Sequence, residues 1–286
     1  MTAPVTKPRT ADVVVKAGGA LLADPVASAA LAADVVALHR RGLRPIVVHG
    51  GGLQITEVMQ RLGVEAQFVH GQRVTSPDVL DVVRMVLTGR LQRELIGTLN
   101  RYGPYAVGLS GEDAHLMSAR RRDAANLGQV GDVTGVDVSL LTTLLDDNRI
   151  PVISSLAVAD DGAALNVNAD AAAAAVAVAV GARSLVMLIA APGFCVDWPE
   201  QSTPVPELTD RQLESMNDRF TGGMLPKAEA CLSALRGGVT RVHITDGRRP
   251  QATLDAVTSR RPAGTTVVAA QLGDPPSAVT HTTRTG

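Results

Sequence analysis

The stretch VVVKAGGALLADPVASAALAADVVALHRRGLRPIVVHGGGLQITEVMQRL, residues 13–62, decides the fold class of this chain. A β-branched run at 13–15 precedes a helical pattern at 27–41, and a second such run at 45–48 precedes a helical pattern at 54–62. Short apolar strands that alternate with amphipathic helices are typical of a parallel sheet with helices packed on its faces. The sequence therefore predicts an α/β fold.

The same alternation returns in the second half of the chain. Strand patterns occupy residues 151–154, 184–189 and 241–245, and helical patterns occupy residues 169–180 and 226–236. A second set of strand–helix units is therefore expected to extend the same kind of sheet.

The middle of the chain has a different pattern. Residues 66–73 and 116–133 have the character of β-hairpins, whereas residues 77–102 predict one long helix. This helix carries an apolar stripe at helical spacing, formed by Val79, Val82, Val83, Val86 and Leu87. Two placements of the stripe are open: a subunit interface, or packing onto the chain's own sheet.

Composition and charge exclude several classes of function. The 286 residues include 27 Lys plus Arg and 28 Asp plus Glu, so no basic surface for nucleic acid or anionic membrane is implied. Cys195 and Cys231 are too few for a disulfide framework and lack the clustered spacing of a zinc site. No signal-peptide core follows the N-terminus, and charges interrupt the alanine-rich region at 169–191. We therefore expect a cytoplasmic protein that acts on a small molecule, with no nucleic-acid or membrane partner.

Glycine-rich segments follow both strands of the first unit. Lys16 ends the first strand and precedes Gly18 and Gly19, at the sheet edge where open α/β folds bind ligands. The HGGG segment at 49–52 opens the next helix, whose N-terminus favours an anion. Taken alone, Lys16 could be a solvent-facing lysine that closes a strand before an ordinary turn, and HGGG also occurs as an oxyanion-hole segment in esterases. Because the segment around Ser110 lacks the final glycine of GxSxG, a serine hydrolase is disfavoured.

Two charged residues fall in the first turns of later helices. Asp170 begins the alanine-rich helix, where spacing alone favours a capping or dipole-complementing role. Lys227 follows Gly222 and Gly223, from where it can reach an anion at the helix terminus, although a simple capped turn is an equal alternative. The Walker motif and the HRD and DFG elements are absent from the sequence, so any phosphoryl transfer requires another scaffold.

Six motifs follow one another in order along the chain. They are KAGGA at Lys16, VVHGGGLQI at Val47, GQRVT at Gly71, GLSGEDA at Gly108, NVNAD at Asn166 and GGMLPKAEA at Gly222. This ordered set resembles that of the N-acetylglutamate kinases of the amino acid kinase family, over roughly residues 13–268. The resemblance outweighs the simpler interpretation of each motif taken alone.

The resemblance implies a three-layer αβα sandwich with a central, mostly parallel sheet. It implies ATP-dependent phosphorylation of the side-chain carboxylate of N-acetyl-L-glutamate in arginine biosynthesis, with ATP and Mg²⁺ as cofactors. The expected organisation is an N-terminal tail at 1–12, a kinase domain at 13–270 and a disordered tail at 271–286. Within the domain, a substrate lobe would extend to about residue 155 and a nucleotide lobe would follow it.

The resemblance also assigns roles to individual residues. The catalytic residues would be Lys16 and Lys227, which stabilise the transferring phosphate, and Asp170, which holds both lysines. The substrate-binding residues would be Gly51, Gly52, Arg73 and Asn166. The nucleotide-binding residues would be Gly18, Gly19, Gly193, Gly222, Gly223 and Met224, and no residue is assigned as a metal ligand.

This set of residues suits phosphoryl transfer to a carboxylate. A carboxylate with a pKa of about 4 is already ionised at neutral pH, so the reaction needs alignment and charge neutralisation and no general base. The guanidinium of Arg73 can hold a second carboxylate in bidentate geometry. Magnesium would bridge the phosphates of ATP with few protein ligands.

Two segments depart from the family pattern. The strand at 184–189 ends in Ile189-Ala190 where the family usually has Thr-Asp, and the first loop has Ala17, Ala20 and Leu21 in place of tyrosine and Asn-Ala. The missing hydroxyl and carboxylate would otherwise orient a nucleotide. A weaker ATP site, a different nucleotide preference, a non-catalytic paralogue, or a kinase for carrier-linked glutamate or aminoadipate therefore stay open. Since the charged residues of the family's site are all retained, a working kinase is favoured.

The resemblance further predicts a homodimer that L-arginine does not inhibit. Arginine-sensitive members carry an extra helix before the first strand, whereas only residues 1–12 precede Val13 here, and Pro4 and Pro8 disfavour a helix. The stripe on the helix at 77–102 would pack against its symmetry mate.

Overall fold

The computed structural model describes residues 10–69, 71–122, 126–195, 203–216, 220 and 222–270. The tail predicted at 271–286 lies outside these residues, as do Pro4, Pro8 and most of the tail predicted at 1–12. Within the described ranges, no helix is long and apolar enough to cross a membrane.

The strands of the described residues form an eight-stranded sheet, a four-stranded barrel and a two-stranded hairpin. In chain order they are β1 (Val13–Ala17), β2 (Pro45–His49), β3 (Phe68–Val69), β4 (Gln72–Arg73), β5 (Ala106–Ser110), β6 (Met117–Arg121), β7 (Val130–Val136), β8 (Ile150–Ser154), β9 (Leu156–Val158), β10 (Ala164–Val167), β11 (Ser184–Ile189), β12 (Glu207–Thr209), β13 (Arg241–Asp246) and β14 (Thr265–Val268).

Helices connect most of these strands. They are α1 (Gly19–Leu22), α2 (Pro25–Arg40), α3 (Gly52–Arg61), α4 (Pro77–Arg84), α5 (Gln92–Asn100), α6 (Ser139–Asp146), α7 (Ala169–Ala179), α8 (Asp210–Ser215), α9 (Leu225–Arg236) and α10 (Ala252–Thr258). A π-helical segment, Met85–Leu91, joins α4 to α5. The long helix predicted at 77–102 is therefore continuous over residues 77–100.

The large sheet has the spatial order β12-β14-β13-β11-β1-β2-β8-β5. Neighbouring strands in it are parallel, except that β13 and β14 pair antiparallel. The mostly parallel sheet predicted from the sequence is confirmed, and the strand predicted at 184–189 has the same bounds as β11.

Helices cover both faces of this sheet and make it a three-layer αβα sandwich. Val13 and Val15 of β1 join one core, together with residues of α2, α5 and α10. Val14 points to the other face and joins residues of α7 and α9. A strand that is buried on both faces needs a continuous apolar run. This requirement explains the VVV sequence with which the sheet begins.

The apolar stripe of the long helix is buried within its own chain. Val79, Val83 and Leu87 are 7%, 0% and 1% exposed, and they pack with Ile55 and Met59 of α3. The expectation that this stripe meets a symmetry mate is therefore wrong.

The barrel, β10-β7-β6-β9, lies beside the large sheet and contains the hairpin predicted at 116–133. Its strand β10 leads through Asn168 directly into α7. At that junction a Cβ on Gly50 would lie 3.0 Å from the Cβ of Ala169. The barrel therefore places the NVNAD segment at the carboxyl end of β2.

Candidate active site

A cleft of about 560 Å³ opens at the carboxyl ends of β1 and β2. This is the edge at which parallel α/β sheets bind their ligands. The walls of the cleft are the two glycine-rich loops, the β3–β4 hairpin, the barrel strands β7 and β10, and helices α7 and α9. Segments that are far apart in the sequence thus converge on one site.

Three charged residues form a chain of ion pairs, and two of them, Lys16 and Asp170, line this cleft. Lys16 Nζ lies 2.7 Å from Oδ1 of Asp170, and Lys227 Nζ lies 3.1 Å from Oδ2 of the same carboxylate. Lys16 and Asp170 are 5% and 4% exposed, and Lys227 is half-buried. One carboxylate therefore holds an ammonium group from the central strand and another from α9, and the group of three keeps a net positive charge.

Burial and charge act in opposite directions on these residues. Burial alone would raise the pKa of the Asp170 carboxyl, but the two lysines outweigh it and hold that pKa below its usual value. Burial lowers the pKa of the Lys16 ammonium, and the charge of Asp170 opposes this shift. Asp170 is therefore ionised at neutral pH and available to hold both lysines.

The first turn of α7 directs Asp170 toward the lysines. The side-chain oxygen of Asn168 accepts hydrogen bonds from the backbone N–H groups of Asp170 and Ala171, at 2.8 and 3.2 Å. Asn168 is thus the N-cap, and Asp170 lies in the first turn that follows it. Because the cap is already supplied, the Asp170 side chain is free to pair with the lysines.

The two glycine-rich loops touch each other beside Lys16. A Cβ on Gly19 would lie 3.1 Å from the Cα of Gly51 and 2.6 Å from Oε1 of Gln54, so a side chain there would displace the second loop. The N–H of Gly50 donates to the carbonyl of Ala17 at 3.1 Å. The two loops that the sequence singled out separately therefore form one continuous surface.

Arg73 of β4 is a buried cation that lines the same cleft as Lys16 and Asp170. It is 7% exposed, and its guanidinium donates to the carbonyl of Gly52 at 2.9 Å and to the hydroxyl of Thr56 at 2.7 Å. Its Cζ stands 4.7 Å from the centre of the Phe68 ring. Burial lowers the pKa of Arg73, and no carboxylate of the described residues forms an ion pair with it. A buried positive charge without a counter-charge favours an anionic ligand.

The other predicted substrate-binding residues lie around the same cleft. Gly51 and Gly52 line it, and so does Asn166 of β10. The side-chain amide of Asn166 donates to Oγ1 of Thr75 at 3.1 Å. The structure thus brings the four predicted substrate-binding residues together.

The predicted nucleotide-binding residues fall into separate places. Gly18 and Gly19 line the cleft. Gly222, Gly223 and Met224 form a 3₁₀ turn before α9 and do not line it. The carbonyl of Gly223 accepts a hydrogen bond from Lys227 Nζ at 3.0 Å. This turn therefore helps to place the second lysine.

Gly193 lies away from the cleft walls. A Cβ at this position would lie 2.7 Å from Oγ1 of Thr265 and 2.8 Å from the Cβ of Pro204, so close packing requires glycine. The next residue, Phe194, is fully buried, with its ring centre 5.0 Å from that of Phe220. The loop after β11 is therefore part of the core around Gly193.

The departure at Ile189-Ala190 has a structural explanation. Ile189 is 6% exposed and belongs to the core that also contains Phe194. Ala190 is exposed, and its carbonyl accepts a hydrogen bond from Arg248 at 3.2 Å, while Arg248 also pairs with Asp246. An apolar side chain at Ile189 thus extends the core to the very end of β11.

Several polar residues of the cleft were missed by sequence reasoning. Nε of Arg122 lies 3.1 Å from both carboxylate oxygens of Asp132 across the β6–β7 hairpin, and Glu229 of α9 faces the same cleft. No motif contains Arg122 or Asp132, and Glu229 lies within the motif GGMLPKAEA, but the resemblance assigns it no role. Only the close approach of the barrel to α9 reveals them.

The site presents a fixed arrangement of charged groups to a ligand. Among the described residues no group of three or more His, Cys, Asp or Glu side chains could hold a metal ion. His49 is fully buried, and burial lowers its pKa to about 4, so it is neutral at neutral pH. The cleft therefore offers a ligand glycine backbone and charged groups of both signs, and its lining residues include the cations Lys16, Arg73 and Arg122 and the carboxylates Asp132, Asp170 and Glu229.

Known proteins similar to this chain share one fold. A model of the amino acid kinase family matches residues 13–246. The chain is 49% identical over 266 residues to an acetylglutamate kinase of Acidothermus cellulolyticus, covering 90% of each chain. It is 48% identical over 261 residues to an acetylglutamate kinase of Salinispora tropica, covering 89% of this chain and 88% of that one. The solved structure of a Giardia carbamate kinase, at 14% identity, covers 91% of this chain and 99% of its own with a TM-score of 0.68, a similarity of fold alone.

Proposed function

The chain belongs to the amino acid kinase family, and from that premise we propose that it transfers the terminal phosphoryl group of ATP to the side-chain carboxylate of N-acetyl-L-glutamate, in arginine biosynthesis. One observation carries the proposal: a buried, uncompensated Arg73 borders the same cleft as the Lys16–Asp170–Lys227 ion pairs. The first suits a carboxylate, and the second suits a phosphoryl group in transfer.

Lys16 and Lys227 are proposed to neutralise the negative charge that develops on the phosphoryl oxygens and on the leaving phosphate. Fixed positive charges in a largely buried site need no reorganisation during the reaction, which makes them effective. Asp170 would keep the two ammonium groups apart and in place. The acceptor carboxylate is ionised at neutral pH, so its oxygen can attack without a general base.

The substrate is proposed to lie with its α-carboxylate against Arg73. The guanidinium can pair with both oxygens of that carboxylate, a geometry that lysine cannot reproduce. Asn166 and the backbone of Gly51 and Gly52 would hold the acetylated amine. The side-chain carboxylate would then extend toward Lys16, which lines the same cleft.

MgATP is proposed as the phosphoryl donor. The backbone of Gly18 and Gly19 would approach its phosphates, and the turn at Gly222, Gly223 and Met224 and the loop at Gly193 would contact the rest of the nucleotide. Both oxygens of Asp170 already face lysines, so magnesium would be held by the phosphates. We keep the proposal of a substrate lobe up to about residue 155 and a nucleotide lobe over the later residues of 13–270, with two exceptions: Gly18 and Gly19 would approach the phosphates, and Asn166 would hold the substrate. We also propose a cytoplasmic location, where ATP is available.

The assay that tests this function measures ADP release with N-acetyl-L-glutamate, N-acetyl-L-aspartate and N-acetyl-L-aminoadipate side by side. Hydroxylamine in the mixture would trap the acyl phosphate as a hydroxamate, which identifies the acceptor as a carboxylate. We expect kcat/KM for N-acetyl-L-glutamate to exceed that of either analogue by about 10-fold or more, since one methylene changes the fit by about 1–3 kcal/mol.

Unacetylated L-glutamate is the matched control for recognition of the blocked amine. A higher kcat/KM for the aminoadipate or aspartate analogue would reassign the substrate while keeping the reaction class. ATP turnover without any hydroxamate would contradict carboxylate phosphorylation itself.

The apolar stripe of the long helix is buried within its own chain and cannot form a subunit interface. We nevertheless propose that the protein is a homodimer. Within the described residues, β5 ends the large sheet, but its outward backbone groups are largely bonded by its own chain: the side chain of Asn100 bonds the N–H and the carbonyl of Ala106, and Asp113 accepts from the N–H of Ser110. The dimer is therefore proposed from the family resemblance alone. Light scattering is expected to give twice the 29.7 kDa of one chain, and a mass of one chain at micromolar concentration would contradict the dimer.

A further inference from the structure

We propose that Gln54 is a positioning residue that fixes the distance between the two glycine-rich loops of the site, and so the distance between the two substrates. The inference rests on the proposed function, because that function places phosphates at Gly18 and Gly19 and the acyl substrate at Gly51 and Gly52. It adds a residue that lies within the motif VVHGGGLQI but to which the resemblance assigns no role.

The contact that carries the inference joins α3 to the loop after β1. Gln54 lies in the first turn of α3 and is 5% exposed. Its side-chain Nε2 donates a hydrogen bond to the carbonyl oxygen of Gly19 at 2.7 Å. Since α3 begins at Gly52, one side chain thus ties the helix of the second glycine loop to the backbone of the first.

The backbone of Gly19 does not need this bond for its own stability. Its carbonyl oxygen already accepts a hydrogen bond from the N–H of Ala23 at 2.9 Å, within the first turn after the loop. The Oε1 atom of Gln54 is buried and has no donor among the described residues. A buried, half-satisfied carboxamide is unfavourable for folding. Its presence therefore favours a role in the site over a role in stability.

The geometry shows what the bond controls. The two loops are in contact, because a Cβ on Gly19 would meet the Cα of Gly51 at 3.1 Å and Oε1 of Gln54 at 2.6 Å. Next to Gly19, a Cβ on Gly18 would lie 3.4 Å from the ammonium of Lys16. A shift of the first loop thus moves the phosphate-facing backbone relative to the acyl substrate and Lys16. Displacements of about 1 Å between reactants can lower a rate about 100-fold.

The test compares Gln54→Met with Gln54→Glu in the full-length protein. Methionine keeps the length of the side chain but cannot donate, and an ionised glutamate keeps the shape but cannot donate either. Gln60→Met is the matched control, because Gln60 is an exposed residue of the same helix. For each variant, kcat, the KM for both substrates and the melting temperature are measured.

We expect Gln54→Met to lower kcat about 10-fold or more, with both KM values within about threefold of wild type and the melting temperature unchanged or higher. Gln54→Glu is expected to lower kcat at least as much, since a carboxylate would face the Gly19 carbonyl. Gln60→Met is expected to behave as wild type.

A kcat within about twofold of wild type for Gln54→Met would overturn the inference. A melting temperature that falls with kcat would also overturn it, because the bond would then serve the fold. The proposed function is tested separately, on the wild-type protein alone. Absence of N-acetyl-L-glutamate phosphorylation by the wild-type protein contradicts that function, whatever the variants do.

Discussion

Lys16→Met is expected to lower kcat by about 10²–10³-fold or more, because it removes a fixed positive charge from the place where phosphoryl charge develops. The substitution keeps the unbranched side chain and loses only the ammonium group. Lys16 lies 2.7 Å from Asp170, so the variant also leaves that carboxylate with Lys227 as its one lysine partner in the described structure. Steady-state kinetics with N-acetyl-L-glutamate and ATP measures the effect.

The control for this substitution is Arg44→Gln, which removes a cation from a surface ion pair with Asp146, far from the cleft walls. Surface pairs contribute little, so its kcat should equal that of wild type. Calorimetry should show that Lys16→Met still binds ATP, since a transition-state interaction affects kcat more than binding. A near wild-type kcat in Lys16→Met would remove Lys16 from the catalytic residues.

The sheet was predictable from the sequence because its buried parallel strands are short, continuous, β-branched apolar runs that alternate with longer helical patterns. The strand at 184–189 matches β11 at both ends, and the helix predicted at 169–180 matches α7 to within one residue. Local pattern was sufficient in these elements because each is buried on both sides or along most of its length.

The long helix illustrates where local pattern stops being sufficient. The stripe at helical spacing correctly predicted the helix, but its partner was undetermined because an apolar face fits a second subunit as well as a neighbouring element. The structure places Val83 and Leu87 against α3. The π-helical segment, Met85–Leu91, was not predicted either, since its hydrogen bonding depends on how the helix packs.

Motifs in the sequence identified the charged residues of the candidate site, but they did not identify the polar residues that position the site. Lys16, Asp170 and Arg73 were selected because each motif matched a family pattern, and the structure brings all three to one cleft. Gln54 occurs within a motif, yet its contact with Gly19 joins positions 35 apart in the sequence. Arg122 has no motif, and its place at the cleft depends on closure of the barrel.

Arg73→Gln is expected to raise the KM for N-acetyl-L-glutamate about 100-fold or more while leaving the KM for ATP within about threefold, because it removes the cation proposed to bind the α-carboxylate. Loss of one partner from a buried charge pair costs about 2–5 kcal/mol. The same variant should unfold at the same or a higher denaturant concentration, since Arg73 is 7% exposed and lacks a carboxylate partner in the described structure. Initial rates and urea titrations measure the two effects.

Two further variants decide whether the bidentate geometry of Arg73 matters. Arg73→Lys keeps the charge but replaces the planar fork by a single ammonium, so it should recover only part of the lost affinity. Arg61→Gln removes an exposed arginine that pairs with Glu57 on α3, and it should change neither KM nor stability. If Arg73→Lys binds N-acetyl-L-glutamate as tightly as wild type, charge alone recognises the substrate. If Arg73→Gln does so as well, the α-carboxylate lies elsewhere in the cleft, and the buried guanidinium serves another ligand.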